Sequence, residues 1–135
     1  MTISFEVPGV PVPQSRPRFT RQGRAYDTKA CKEYKRQVAI AAKAAMGTQE
    51  PLQGAVACRC NFYFEPPKSM SKKKADGLMG KGYIGRKDAD NLLKSVTDAI
   101  SGVVYVDDRQ IVSICGEKLY GYPARVEVEI CEEEA

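Results

Sequence analysis

Two pairs of acids carry the most chemistry in this chain: Asp88 and Asp90 in KDADNLLK (87–94), and Asp107 and Asp108 in VVYVDDRQI (103–111). At i, i+2 in an extended segment, Asp88 and Asp90 leave the same face. Four carboxylates gathered at one point repel one another unless a cation sits among them. Oxygen-only ligands select a hard ion, Mg2+ or Mn2+. The spacing is not that of an EF-hand: counted from Asp88, the sixth residue is Leu93 and the twelfth is Ala99. Beside basic groups, such an ion suits phosphodiester hydrolysis, because it polarises the phosphate, generates hydroxide and steadies the leaving oxygen. Lys94, four residues after Asp90, has two readings. It is a surface partner of Asp90 worth about 0.3–0.5 kcal/mol, or the cation that stabilises charge developing on a phosphate.

The chain contains no histidine. That excludes Ser–His and Cys–His nucleophile pairs, a zinc helix with two histidines and any histidine general base. Acid–base work falls to Asp, Glu, Lys, Tyr or metal-bound water. The five cysteines form no C-x-x-C pair. Cys58 and Cys60 fall in an apolar alternation and read as buried thiols rather than zinc ligands.

Charge is divided along the chain. Residues 1–87 hold 17 Lys/Arg against 6 Asp/Glu, a surplus of +11; residues 88–135 hold 4 against 11, or −7, together the overall +4. A basic part that grips a polyanion, joined to an acidic part that holds metal ions, accounts for this better than scattered surface charge. The acidic tail 132–135 supplies part of the deficit. The basic candidates for phosphate contacts are Arg16, Arg18, Arg21 and Arg24, then Lys72, Lys73, Lys74, Lys81, Arg86 and Lys87.

The 135 residues suit one domain, 1–135. No apolar run approaches the roughly 20 residues of a membrane span, and MTISFEVPGV lacks a signal-peptide pattern, so the expected location is the cytoplasm, with no membrane partner. ISFEV (3–7) alternates as a strand. Residues 8–19, with Pro8, Pro11, Pro13 and Pro17, read as a stiff extended loop. Thr28 caps a helix that Gly47 ends, with an apolar stripe of Tyr34, Val38, Ala41, Ala42 and Ala45. AVACRCNFYF (55–64) alternates as a second strand. Residues 65–87 read as a long basic loop. Asp90 or Asn91 caps a second helix, whose apolar side is Leu92, Leu93, Val96, Ala99 and Ile100. VVYV (103–106), 110–120 and 124–131 read as three further strands. The predicted class is α+β, one domain with a mixed or mostly antiparallel sheet and two main helices on one face. If the second helix and the strand 103–106 fold back antiparallel, Asp107 and Asp108 come close to Asp88 and Asp90.

DADNLLKSVTDAISGVVYVDDRQI (88–111) resembles the core motif of the RusA family of Holliday junction resolvases: D-x-D-N-hydrophobic-x-K, a helix, then G, an aromatic and D-D-x-Q. The match is close over these 24 residues and looser over G-x-P-x-P (9–13), R-P-R (16–18) and Tyr34-Lys35. The resemblance implies that Asp88, Asp90 and Asp108 are metal-binding catalytic acids and Lys94 the catalytic lysine, with Asp107 and Asn91 accompanying them. It implies a homodimer that cuts four-way branched DNA with Mg2+ or Mn2+ and no small-molecule organic cofactor. Many relatives have Pro between the basic residue and the first acid, where this chain has Lys87-Asp88 directly. The other readings of the same residues are a metal-dependent nuclease acting on flap or other branched DNA, a phosphodiesterase for small nucleotides, and a DNA-binding module without catalysis.

Overall fold

A computed structural model describes residues 1–16 and 18–133. Glu134 and Ala135 of the expected acidic tail lie outside them. In chain order the elements are β1 (Thr2–Pro8), β2 (Arg18–Phe19), β3 (Ala25–Tyr26), α1 (Lys29–Met46), β4 (Val56–Phe64), α2 (Lys72–Leu78), α3 (Ala89–Ile100), a 3-10 turn (Asp108–Gln110), β5 (Ile111–Tyr120) and β6 (Arg125–Glu132). The predicted α+β class with a mixed sheet is the class found.

Four strands form the main sheet in the order β1-β6-β4-β5. β6 runs antiparallel to both neighbours, and β4 pairs parallel with β5. A parallel pair needs a crossover, and α2 and α3 supply it. One sheet face carries Ile3, Val7, Val56, Cys58, Cys60, Phe62, Val126, Val128 and Ile130, all buried. α1 covers it with Tyr34, Val38, Ala42 and Met46, and α3 with Leu92, Val96 and Ile100. The opposite face is polar, with Ser4, Glu6, Arg59, Asn61, Glu127 and Glu129. Strict alternation in β4 and β6 is therefore the signature of a sheet covered on one side.

Thr28 caps α1 by accepting from the Cys31 amide, and Gly47 ends it at φ +60°. Its buried stripe includes Cys31 and Met46, whereas the predicted Ala45 faces water. α3 starts two or three residues earlier than expected, with Asp88 at the cap. The expected strand 103–106 is instead a tight turn. Gly102 takes φ +84°, and the amides of Val103 and Val104 both donate to the Ile100 carbonyl, so the chain doubles back at once. Val104 and Tyr105 are fully buried from that turn. An apolar run this short fits a turn over the core as well as a strand.

The basic stretch 65–87 is more ordered than a loop. Ser71 accepts from the Lys74 amide and starts α2, and Ala75 packs inward. Lysines are good helix formers once a cap exists. Beyond α2, residues 80–83 pair with the last part of β5: the Tyr83 amide donates to Lys118 and the Tyr120 amide to Lys81. Residues 10–16 of the Pro-rich segment form neither helix nor strand, and 18–26 turn back as the β2–β3 ribbon.

Candidate functional site

The first turn of α3 presents the D-x-D pair. Asp88 caps the helix through its position and backbone, but its side chain makes no capping bond. Among the described residues, no hydrogen bond or ion pair engages its carboxylate. Asp90 lies in the first turn, and both acids are exposed. The Asn91 carbonyl accepts from the Gln14 amide at 2.8 Å, which ties the Pro-rich segment to this turn.

Lys94 does not pair with Asp90. Its Nζ lies 3.5 Å from Asp98 Oδ2, one turn toward the helix C-terminus. Asp98 is shared with Lys35 of α1 at 3.7 Å, and Lys35 in turn binds Asp27 at 2.9 Å. Gln14 Nε2 donates to the other Asp27 oxygen at 2.9 Å. The Lys35 hydrogen bond, with help from Gln14, holds the Asp27 carboxyl below its ordinary value. Acids and bases thus alternate along the chain Asp27–Lys35–Asp98–Lys94, with no net charge. They border an open cleft of about 510 Å3 between the Pro-rich segment and α3, which Arg16 and Asn91 also line. Because Lys35 also balances Asp98, Lys94 can turn to a phosphate without leaving Asp98 unpaired. The site residues expected from the sequence do not include Asp27, Lys35, Asp98 or Gln14. Two of them carry a signal in the sequence, Asp98 by its i, i+4 spacing from Lys94 and Lys35 by its place in the Tyr34-Lys35 match.

Asp107 and Asp108 sit elsewhere along α3. The Tyr105 hydroxyl donates to the Thr97 carbonyl at 2.7 Å, which pins the turn before them against the second half of the helix. Burial, and next the facing Asp108 carboxylate, push the Tyr105 phenol up. α3 and β5 run antiparallel: Leu93 packs on Gly116, and Lys118 donates to the Lys87 carbonyl. The start of β5 is therefore at the far end of α3 from Asp88 and Asp90. Among the described residues, no three acid or thiol side chains converge as metal ligands. The expected fold-back of α3 with a strand 103–106 is not found: the chain turns at once after Gly102 and leaves Asp107 and Asp108 beside the second half of α3, about two helical turns from Asp90.

Asp107 has local work, since its Oδ1 accepts from the Arg109 amide at 2.9 Å and heads the 3-10 turn. Gln110 locks that turn in place. Its Oε1 accepts from the amides of Val106 and Asp107, and its Nε2 donates to the carbonyls of Leu52 and Gly54. The glutamine of the D-D-x-Q pattern thus has a structural reason to be there.

Of the basic candidates, Arg16, Arg18, Arg21, Arg24, Lys72, Lys73, Lys74, Lys81 and Arg86 are exposed. Lys87 is turned inward: its amine donates to the Pro11 carbonyl at 2.7 Å and lies 5.4 Å from the Phe64 ring centroid. Burial lowers the pKa of that amine.

Two free carboxylates at one helix start, beside a cleft with a lysine, are a donor set for a hard cation and a phosphate. Mg2+ is commonly held by only one or two carboxylates together with substrate phosphate and water, and Asp88 and Asp90 could supply them. A family model described as endodeoxyribonuclease RusA matches residues 8–131. The chain belongs to the RusA endodeoxyribonuclease family. It is also 36% identical over 137 residues to a Bacillus subtilis (strain 168) protein named uncharacterized protein YqaN, covering 96% of both chains.

Proposed function

We propose that this protein is a structure-selective endodeoxyribonuclease that resolves four-way DNA junctions by paired symmetric nicks in recombination and repair. The observation that carries this reading is the free Asp88 and Asp90 pair, one to two turns before Lys94 on α3, in a member of an endodeoxyribonuclease family.

Asp88 and Asp90 would hold Mg2+ or Mn2+, and Asp108 would act from its place beside the second half of α3. The ion supplies Lewis-acid polarisation of the phosphate and a lowered water pKa. Lys94 leaves Asp98 and neutralises charge that develops on the phosphate oxygens. The cleft beside Asn91 seats that phosphate and orients it. Exposed Arg16, Arg18, Arg21 and Arg24 on one side, with Lys72, Lys73, Lys74, Lys81 and Arg86, hold neighbouring phosphates by charge and shape. Lys87 serves by anchoring Pro11, so its role is to set the loop that leads into Asp88. The polar sheet face carries Glu6, Glu127 and Glu129, and their charge would disfavour a DNA backbone there. A homodimer supplies one site for each of two strands, in keeping with the two-fold symmetry of a junction. The first part of β5, with Val112 and Ile114 half-exposed beside a free strand edge, is apolar surface available to a second copy.

A second reading, a DNA-binding module without catalysis, is favoured by the separation of Asp108 from Asp88 and Asp90 in the single chain. Asp90→Asn decides between the two. Under the nuclease reading the variant binds a four-way junction as the parent does and no longer nicks it with Mg2+. Unchanged nicking by the variant, or no nicking by the parent on any branched substrate, rejects that reading.

A further inference from the structure

We propose that the β2–β3 ribbon is a wedge for the branch point of DNA, on which Phe19 and Tyr26 stack unpaired bases while Arg18, Arg21 and Arg24 hold the flanking phosphates. This rests on the reading that the substrate is branched DNA, and names the part of the chain that senses the branch.

The ribbon is short, two residue pairs long, closed by a turn in which the Thr20 amide donates to Arg24 and the Gly23 amide to Thr20. Gly23 takes φ +81°, which a side chain would resist. A ribbon of this size has no core of its own. Phe19 is 66% exposed and Tyr26 49%, so folding does not use these rings. Cross-strand register places Arg18 opposite Tyr26 and Phe19 opposite Ala25. The two rings therefore leave opposite faces of the ribbon and do not form one apolar patch of the kind that docks a protein. Between Ser15 and Tyr26 there are four arginines and no acid. Aromatic rings spaced among arginines suit single-stranded or splayed nucleic acid, because every base offers a ring face and the arginines meet the backbone.

The ribbon is also held where a wedge would be useful. Gln14 bonds to Asp27 at 2.9 Å and the Ser15 hydroxyl lies 3.3 Å from that of Thr28, so its two stems are clamped together. Thr28 caps α1, and the Gln14 amide bonds to Asn91 in the first turn of α3. Both rings thus project from a base fixed beside the cleft of Lys94. In a continuous duplex each base face is already stacked, and an added ring gains little there. At a four-way branch the end faces of the arms are open, and two rings back to back can cover two of them.

The test measures affinity of the full chain, carrying Asp90→Asn to prevent cutting, for a four-way junction and for a duplex of the same sequence. Phe19→Ala and Tyr26→Ala should each weaken junction binding about tenfold and duplex binding less than twofold. Phe19→Trp should keep the junction preference, and Arg21→Ala should weaken both substrates and lower the salt slope by about 1. A 2-aminopurine placed at the branch should be quenched by the parent and not by the Phe19→Ala, Tyr26→Ala double variant. Unchanged thermal midpoints establish that the variants fold. If the double variant keeps the parent's junction-to-duplex ratio and its quenching, the wedge is wrong although junction recognition stands. If the parent itself shows no junction preference, the junction reading fails and the wedge with it.

Discussion

The Tyr105 hydroxyl and the Thr97 carbonyl are joined by a 2.7 Å hydrogen bond inside the core. That bond decides where Asp107 and Asp108 go, because the turn that carries Tyr105 ends two residues before Asp107. Tyr105→Phe keeps the ring and removes only the donor. The Thr97 carbonyl still receives the Ser101 amide, so no acceptor is orphaned. The expected loss is about 1 kcal/mol by denaturant titration. Nicking should fall further than stability accounts for at a temperature where the variant is fully folded, since the acid turn is released from α3.

Gly116 lets β5 approach α3. A Cβ there would sit 2.8 Å from Leu93 Cγ and Cδ1. Gly116→Ala should destabilise the protein by about 1–3 kcal/mol through overpacking. Adding Leu93→Ala to that variant should cost less than Leu93→Ala costs in the parent, a coupling that a denaturation cycle measures. Strict additivity would mean that the two residues do not touch.

Asp27 gives the fold an acid limit. Its carboxyl lies below the ordinary value because of Lys35 first and Gln14 second, so the folded state binds this proton less readily than the unfolded one. The stability it contributes is present above about pH 4 and is lost as pH falls further. Asp27→Asn should be less stable than the parent at pH 7, and its stability should fall less between pH 4 and pH 2.5. Equal acid sensitivity in the two proteins, followed by circular dichroism in urea, would contradict the Lys35–Asp27 bond.

Asp98 is expected to act through Lys94. Asp98→Asn should slow nicking roughly threefold, the scale of an exposed ion pair. Asp98→Glu should recover most of that rate. In a Lys94→Ala chain the same Asp98→Asn change should have no further effect, because nothing is left to position. Losses that multiply in single-turnover assays would show that Asp98 touches DNA or metal itself.

The parts of this fold visible in the sequence are those governed by neighbouring residues. Alternation in 55–64 and 125–131 marks one-sided strands, and Thr28 with Gly47 brackets α1 because capping is local. Residues 103–106 read as a strand, yet a turn that buries only Val104 and Tyr105 satisfies the same apolar run, and the Gly102 and Ile100 contacts distinguish the two. α2 was hidden among Pro, Gly and Lys because its anchor is the single buried Ala75. In the candidate site, Asp88 and Asp90 stand out by their i, i+2 spacing and Lys94 by following Asp90 at i, i+4, although the structure puts Asp90 in the first helical turn and not in an extended segment. The Lys35–Asp98 link and the distant resting place of Asp108 depend on how α1, α3 and β5 pack, which spacing along the chain does not encode. Lys87, grouped with the DNA contacts by charge alone, turns inward because Phe64 and the Pro11 carbonyl offer it a better place.

Mapping the cut sites on all four strands of a synthetic junction, with Mg2+ and with EDTA, tests the nuclease reading most directly. The expected result is Mg2+-dependent nicks at symmetric positions in two opposing strands, absent from Asp88→Asn and from Asp90→Asn although both variants fold and bind the junction. Nicks that persist in both variants, or a parent protein that leaves every strand intact with Mg2+ or Mn2+, would contradict it.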